Sequence, residues 1–420
     1  MYCGNCFRDN ALVRALRQQA HSVTMVPLYL PMTLEEEDQS AGTPIFFGGV
    51  NVYLQQKSKV FGQLPRPLHQ WLSSPAVLKW ASGRAAKTRA DEVGELTLSM
   101  MRGEEGQQVA ELEQLIEWLQ QQKRPDIVCL SNALLIGLVR RLKNDLGSRV
   151  VCMLQGEDSF LDSMPSSLRE NAWALLADRA KEVDLFIAPS NYYGQLMANR
   201  LSLPMDKVRI AYNGIDVEGF EPAAKPINPP VMGYFARMCR EKGLDTLVGA
   251  YLLLRKRNRV PGLRLKVGGG CGPADEPFVT ELEEKLEAAG LIDDVEFRPN
   301  LGREAKQGLL RSISVFSVPA VYGEAFGLYL LEAWASGLPV VQPRHAAFPE
   351  LIESTGGGLI CDPGSAEALA NTLEGLLLDP ARAQKMGNAG RSAVLRDFTM
   401  QRMAERVLSL YNELLRTTAR

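Results

Sequence analysis

Short apolar runs alternate with helical patterns along most of this 420-residue chain. The stretches between the runs carry apolar residues at helical spacing. This alternation predicts parallel strands joined by crossover helices, because two parallel strands need a long connection between them. The predicted strands are residues 23–27, 127–130, 150–154, 185–188 and 208–211, and then 231–236, 263–268, 295–299, 315–319, 340–342 and 358–360.

The strands fall into two series, separated by a polar stretch at residues 220–230 that contains four prolines and is typical of a linker. We therefore predict two α/β domains with doubly wound parallel sheets, at 1–222 and 231–398, and a linker at 223–230. A last helix is predicted at 400–417, capped by Thr399, in a segment 399–420 that packs back toward the first domain. The carboxyl ends of the two sheets should face a cleft, where such sheets bind ligands.

The overall composition excludes several classes of protein. A net charge of −2 and a pI of about 6.1 argue against nucleic acid as a partner, since proteins that bind it are usually strongly basic. Seven cysteines, an odd number, favour reduced thiols in a cytosolic protein over a disulfide framework. With three histidines in the chain, we expect no metal site. The sequence contains no apolar run long enough to span a bilayer, and its first residues are not typical of a signal peptide.

Residues 32–110 fit the alternation poorly and are predicted to be an insertion in the first domain. Within them, residues 64–90 carry Trp71 and Trp80 among five basic side chains. We favour a pair of helices packed on the first domain. The alternative is a basic surface that contacts a membrane peripherally or binds an anionic acceptor, although Pro75 interrupts a continuous amphipathic helix.

The segment 321–340 carries two carboxylates eight positions apart. Glu324 lies in a glycine-rich turn, and Glu332 lies in a helix that should begin after Gly327. Since residues 328–335 are apolar on nearly every side, this helix should be buried, and a carboxylate inside it needs a partner. The N–H groups around Phe326, Gly327 and Leu328 would face an anion at the start of that helix.

A second motif follows the predicted strand 231–236. It places Arg237 and Lys242 in a turn before a helix that starts near Gly243. Two cations at the carboxyl end of a strand suit a diphosphate, which arginine can hold bidentately and lysine as a point charge. Alone the motif is weak, because a charged turn of this kind is usually just solvated.

Together these motifs resemble the donor-binding domain of retaining glycosyltransferases of family 4, also called glycosyl transferases group 1. The resemblance is strongest over residues 231–415. It implies the GT-B architecture of two Rossmann-like domains, with the first on the acceptor side and the second binding a nucleotide-sugar donor. It rests on the following residues: Arg237, Lys242 and Gly243; Glu324 to Gly327; Glu332 and Ala333; Gly337 to Val341; and, in the first series, Ser190 to Tyr192 and Asn213 to Asp216.

The resemblance implies transfer of a sugar from a nucleotide-diphosphate sugar to an acceptor, with retention at the anomeric carbon. Arg237 and Lys242 would stabilise the departing diphosphate, and no metal would be required. Glu324 would position the sugar and Glu332 the ribose. The turn at 298–302 would bring Asn300 and Leu301 near the base.

The sequence departs from the family in the first domain. Where many members have His-Gly, this chain has Gln155-Gly156, so Gln155 and Asp158 are carried over as candidate contacts to the sugar or the acceptor, together with Asn213 and Gly4. The family begins with a strand and a glycine-rich loop, whereas here residues 1–10 lead into a predicted helix at 11–19. We expect either a start codon assigned too far downstream or a truncated protein, with Gly4 as the tail of the loop.

Two other functions are consistent with the motifs. A sugar-nucleotide epimerase would share the architecture and would convert a donor without any acceptor. A non-catalytic nucleotide-sugar-binding protein would bind a donor without turnover. The acceptor class remains open between a glycan, a lipid and a small molecule, and neither the donor sugar nor the oligomeric state follows from the sequence.

Overall fold

The computed structural model describes residues 4–28, 37–47 and 90–417. Within them the chain forms two compact units. The first contains the described residues up to Ala211 and those from Ala404 onward, and the second runs from Tyr212 to Met403. The first unit therefore ends before the proline-rich stretch at 220–230. No helix among the described residues is long and apolar enough to cross a membrane.

The first unit is built on a parallel sheet of four described strands in the order β1-β2-β3-β4. The strands are β1 Ile127–Leu130, β2 Arg149–Met153, β3 Leu185–Ala188 and β4 Val208–Ile210. All of β3 and nearly all of β2 are buried, as expected for a parallel sheet covered on both faces. The helices are Gly4–Gln18, Ala90–Arg102, Val109–Gln120, Val139–Leu146, Glu157–Asp162, Ser166–Ala180 and Asn191–Arg200, with 3₁₀ turns at Gly103–Glu105, Ala133–Leu138 and Met205–Lys207.

Two expectations for the start of the chain are wrong. Residues 23–27 form no strand. Their carbonyl groups accept hydrogen bonds from side chains instead of from a neighbouring strand: Arg17 donates to Val23 O at 2.8 and 3.0 Å, and Thr43 Oγ1 donates to Met25 O at 2.8 Å. The first helix begins at Gly4 rather than at residue 11, so Gly4 is its first residue and not the tail of a loop.

The second unit is built on a six-stranded parallel sheet in the order β10-β9-β8-β5-β6-β7. The strands are β5 Val231–Phe235, β6 Arg264–Gly269, β7 Val295–Pro299, β8 Val315–Phe316, β9 Val340–Pro343 and β10 Gly358–Cys361. The chain builds outward from β5 in one direction and then from β8 in the other. The sheet is thus doubly wound, with its switch point between β5 and β8.

Helices follow most strands of the second unit. They are Leu244–Arg257, Glu276–Ala288, Arg303–Leu310, Leu328–Ala335, Phe348–Thr355, Ala366–Leu377, Pro380–Asp397 and Met400–Thr417, with 3₁₀ turns at Arg240–Lys242 and Ile292–Asp294. The last helix has the predicted bounds, and Thr399 Oγ1 accepts a hydrogen bond from Arg402 N at 3.2 Å, as an N-cap should. From Ala404 this helix belongs to the first unit.

The apolar helix Leu328–Ala335 is buried as its composition predicts. Trp334 is fully buried and donates from Nε1 to Gly357 O at 2.9 Å, so its one polar atom is satisfied. Leu330, Leu331 and Ala333 are also fully buried. This rigid packing fixes the turn that precedes the helix.

Candidate active site

The two predicted motifs lie at the switch point of the second sheet. The turn with Arg237 and Lys242 follows β5, and the turn with Glu324 and Gly327 follows β8. Strands β5 and β8 are direct neighbours, with Met232 paired to Val315. Because both strands run in the same direction, their carboxyl ends bring the two turns to one edge of the sheet.

Close packing at Gly243 joins the two turns. Gly243 ends the 3₁₀ turn Arg240–Lys242 with a left-handed φ of 69°, which glycine adopts at little cost. A Cβ atom at this position would lie 1.9 Å from Pro319 O, so no larger residue fits. Val321 N also donates to Glu241 O at 3.0 Å. The position of Lys242 is therefore fixed relative to the turn that carries Glu324.

Glu324 is the centre of a cluster of hydrogen bonds. Its Oε2 atom accepts from Lys242 Nζ at 2.5 Å, from the Tyr322 hydroxyl at 2.9 Å and from the Tyr329 hydroxyl at 3.0 Å. Lys242 also donates to the Tyr322 hydroxyl. Burial raises the pKa of both tyrosines far above their usual range, so both stay protonated as donors. All three donors converge on one oxygen, and among the described residues none donates to Glu324 Oε1.

The turn beside Glu324 supplies free backbone donors. Gly327 caps the helix Leu328–Ala335 with φ 90° and ψ 70°, a conformation that favours glycine. In the described part of the chain, the N–H groups of Phe326, Gly327 and Leu328 donate to no acceptor. Unpaired N–H groups at the start of a helix form a site for an anion.

Glu332 is paired within its own unit. Its Oε1 atom accepts from Lys306 Nζ at 2.6 Å, and both side chains are more than four-fifths buried. Lys306 lies on the helix Arg303–Leu310, which follows β7 and the turn at Asn300 and Leu301. The pairing satisfies the buried carboxylate that the sequence predicts.

Arg237 is oriented by Asp275. Its Nε and Nη2 atoms donate to the Asp275 carboxylate at 2.8 to 3.1 Å, while 61% of the Arg237 side chain stays exposed. Burial alone would raise the pKa of Asp275, but the hydrogen bonds from Arg237 outweigh it and hold that pKa below its usual range. Asp275 in turn raises the pKa of Arg237. Asp275 therefore holds the guanidinium through Nε and Nη2, while the rest of the side chain stays accessible.

Asn300 closes the loop that follows β6. Its Oδ1 accepts from Cys271 N at 3.0 Å and its Nδ2 donates to Cys271 O at 2.9 Å. Gly270 is the first residue after β6, and its carbonyl O accepts from Met238 N at 2.8 Å. The turn predicted to lie near a base is thus connected to the segment that carries Arg237. Contact of Asn300 and Leu301 with a base stays a prediction.

The remaining predicted contacts are divided between the two units. Gln155 and Asp158 belong to the first unit, as does Gly4, and Asn213 belongs to the second. Asp158 is buried, and its Oδ1 lies 2.9 Å from the Tyr193 hydroxyl, which is also 3.0 Å from Glu157 Oε2. Burial raises the pKa of Asp158. Their roles toward a sugar or an acceptor stay predictions.

Sequence reasoning missed four residues that hold the predicted ones in place. Tyr322 and Tyr329 lie two before and five after Glu324, but nothing in the sequence shows that both hydroxyls point at one oxygen. Asp275 and Lys306 lie 38 and 26 positions from their partners and stand in no motif. Their pairing depends on which loops the sheet order brings together.

Two family models match the chain. The model described as glycosyl transferases group 1 matches residues 218–393, and the model described as glycosyltransferase family 4 matches residues 81–218. The chain belongs to the group 1 glycosyl transferases.

Curated relatives match part of the chain. A D-inositol 3-phosphate glycosyltransferase of Arthrobacter sp. is 32% identical over 186 residues, covering 42% of this chain and 43% of the relative. The protein of the same name from Saccharomonospora viridis is 27% identical over 246 residues, covering 55% and 56%. The chain spans about half the length of the curated relatives it matches.

Solved structures share the fold over a longer stretch. Sucrose-phosphate synthase from Thermosynechococcus elongatus superposes with a TM-score of 0.62 at 23% identity, over 73% of this chain and 79% of that one. Anabaena Alr3699/HepE in complex with UDP superposes with a TM-score of 0.64 at 16% identity, over 93% and 100%. The two parallel-sheet units and these similarities establish the GT-B fold that the sequence predicts.

Proposed function

We propose that this protein transfers a sugar from a nucleotide-diphosphate sugar to an acceptor, with retention at the anomeric carbon and without a metal ion. One observation carries the proposal: two cations after β5 and a carboxylate with free N–H groups after β8 meet at the switch point of one sheet. A donor of this kind has a diphosphate, a sugar and a ribose. The diphosphate would contact the cations and the N–H groups, and the sugar and the ribose would contact the two carboxylates.

The diphosphate would lie against the positive groups. Arg237 Nη1 has no hydrogen-bond partner among the described residues, and the N–H groups of Phe326, Gly327 and Leu328 lie on the neighbouring turn. Lys242 would complete the site from the same turn as Arg237. Fixed positive groups stabilise the charge that develops on the leaving diphosphate, because they need no reorganisation during the reaction. This is the role that a metal ion plays in other transferases.

The two carboxylates would bind hydroxyl groups at the two ends of the diphosphate. Glu324 Oε1 is free to accept from a hydroxyl of the transferred sugar while Oε2 is held by its three donors. Glu332 would accept from the ribose hydroxyls, with Lys306 holding the carboxylate in place. The distinct partners of the two carboxylates argue against a shared acid–base role.

A solved structure with the same fold suggests which donor to test first. Anabaena Alr3699/HepE has been solved with UDP and with UDP-glucose, so these two compounds are the first to test. The acceptor is a glycan, a lipid or a small molecule. Gln155, Asp158, Gly4 and Asn213 are the candidate contacts to the acceptor or the sugar, and peripheral membrane contact would suit a lipid.

The proposal is tested with a panel of nucleotide sugars. A true donor should raise the melting temperature by mass action, and an acceptor panel should then reveal transfer. We expect Glu324→Gln to retain the fold and to abolish transfer. Product anomers identified by NMR test retention, and unchanged rates in EDTA test metal independence. Donor binding without transfer to any acceptor would instead indicate a nucleotide-sugar-binding protein.

A further inference from the structure

The loop after β9 adjoins the proposed sugar site and was assigned no role by the sequence. Strand β9 lies next to β8 on the side away from β5. Its carboxyl end leads into Arg344, His345, Ala346 and Ala347 before the helix Phe348–Thr355. This loop therefore reaches the switch point from the side opposite to Arg237 and Lys242.

Two contacts hold the loop against the Glu324 turn. Ala347 N donates to Glu324 O at 3.3 Å. Phe348 packs against Gly327, since a Cβ atom at Gly327 would lie 3.4 Å from Phe348 Cε1. Ala346 adopts a φ of 52°, which is uncommon for a residue other than glycine. Such a conformation persists only where the surroundings hold it.

His345 carries an unsatisfied polar atom in this loop. Its Nε2 atom is buried and has no hydrogen-bond partner in the described part of the chain. A second orphan, Gln342 Nε2, lies at the end of the same strand, where Gln342 Oε1 accepts from Val318 N at 3.0 Å. Buried polar atoms without partners are rare and costly, so the orphaned Nε2 atom of His345 beside the Glu324 turn indicates a missing ligand.

We propose that His345 binds a hydroxyl group of the transferred sugar through Nε2. This inference rests on the proposed function. An imidazole nitrogen can either donate or accept, which suits a hydroxyl group that can do both. The diphosphate is the less suitable ligand, because its cations come from β5 and β8 lies between β5 and β9. His345 is half-buried in a loop that borders the proposed sugar site. Gln342 is fully buried in β9, and its contact with Val318 positions the end of β8 instead.

The test measures the affinities for UDP and for UDP-glucose by calorimetry. If the panel of nucleotide sugars identifies a donor with another base, that donor and its nucleoside diphosphate are used instead. We expect His345→Ala to weaken binding of the sugar nucleotide about tenfold, the loss of roughly one hydrogen bond, while the affinity for the nucleotide alone stays unchanged. His345→Gln, which retains a donor and an acceptor, should restore part of the loss. His21→Ala, which removes an exposed histidine of the first unit, is the control and should bind like the wild type.

Monodeoxy analogues of the sugar identify the hydroxyl. Removing the contacted hydroxyl should cost about tenfold in wild-type protein and nothing further in His345→Ala. Equal costs in both proteins for every analogue would overturn the assignment of His345, while leaving the proposed function intact. Absence of binding by every nucleotide in the panel would overturn the proposed function itself. Loss of binding to both UDP and UDP-glucose in His345→Gln would show that the residue is structural.

Discussion

Lys242 Nζ lies 2.5 Å from Glu324 Oε2, so a cation of the β5 turn and a carboxylate of the β8 turn form one ion pair at the switch point. Only 19% of the Lys242 side chain and 13% of the Glu324 side chain are exposed. The pair gives the largely buried carboxylate a partner on one oxygen and leaves its other oxygen available. The position of each side chain therefore depends on the other, whichever ligand binds at the site.

Replacing Lys242 with alanine should slow sugar transfer strongly. The variant loses the positive charge proposed to stabilise the leaving diphosphate, and removal of one such group typically costs about a hundredfold in kcat. The measurement is the steady-state rate with a saturating donor. Lys285→Ala, which removes an exposed lysine from the helix Glu276–Ala288, is the matched control and should transfer at the wild-type rate. Wild-type rates in Lys242→Ala would refute the role of Lys242.

Replacing Tyr329 with phenylalanine should separate stability from activity. The partly buried ring keeps its packing, but one donor to Glu324 Oε2 is lost. We expect a loss of about 1 kcal/mol in the free energy of unfolding and a drop of about tenfold in kcat/KM for the donor. Urea titration and donor kinetics measure the two effects.

Tyr251→Phe provides the comparison for that variant. Tyr251 is fully buried, and its hydroxyl donates to Leu263 O at 3.2 Å and accepts from Arg255 at 2.8 Å, all outside the proposed site. It should lose similar stability with unchanged kinetics. If both variants retain full activity, the Tyr329 hydroxyl does not orient Glu324 for the donor.

The sequence predicts the strands of both sheets well, because a short apolar run bounded by turn residues is typical of a buried strand. Apart from residues 23–27, every predicted strand is confirmed. It also predicts one site with Lys242 and Glu324, because the charged turn and the glycine-rich acidic turn each follow a predicted strand. It could not reveal that these two residues pair across 82 positions, because that contact follows from the order of β5 and β8 in the sheet. The contact between Lys306 and Glu332, 26 positions apart, could not be predicted from the sequence for the same reason.

Replacing Glu332 with glutamine should remove discrimination between ribose and 2′-deoxyribose. A carboxylate accepts strongly from two adjacent hydroxyls, while an amide offers one acceptor and leaves Lys306 without its ionic partner. We expect nucleotide affinity to fall about tenfold or more, because hydrogen bonds to charged groups are worth about 1.5 to 3 kcal/mol. Calorimetry with UDP and its 2′-deoxy form measures the difference. Undiminished preference for the ribose form in Glu332→Gln would contradict the ribose role.

Replacing Gly243 with alanine should destabilise the second unit and displace Lys242. The new Cβ atom would lie 1.9 Å from Pro319 O at a φ of 69°, so the β5 and β8 turns must separate. We expect a loss of about 3 kcal/mol or more in the free energy of unfolding, which combines overpacking with backbone strain. Gly364→Ala isolates the strain, because Gly364 has a φ of 70° and a Cβ atom added there would have no neighbour within 4 Å. That control should lose about 1 kcal/mol in urea titration and keep donor affinity. Equal losses in the two variants would show that the contact with Pro319 does not hold the turns together.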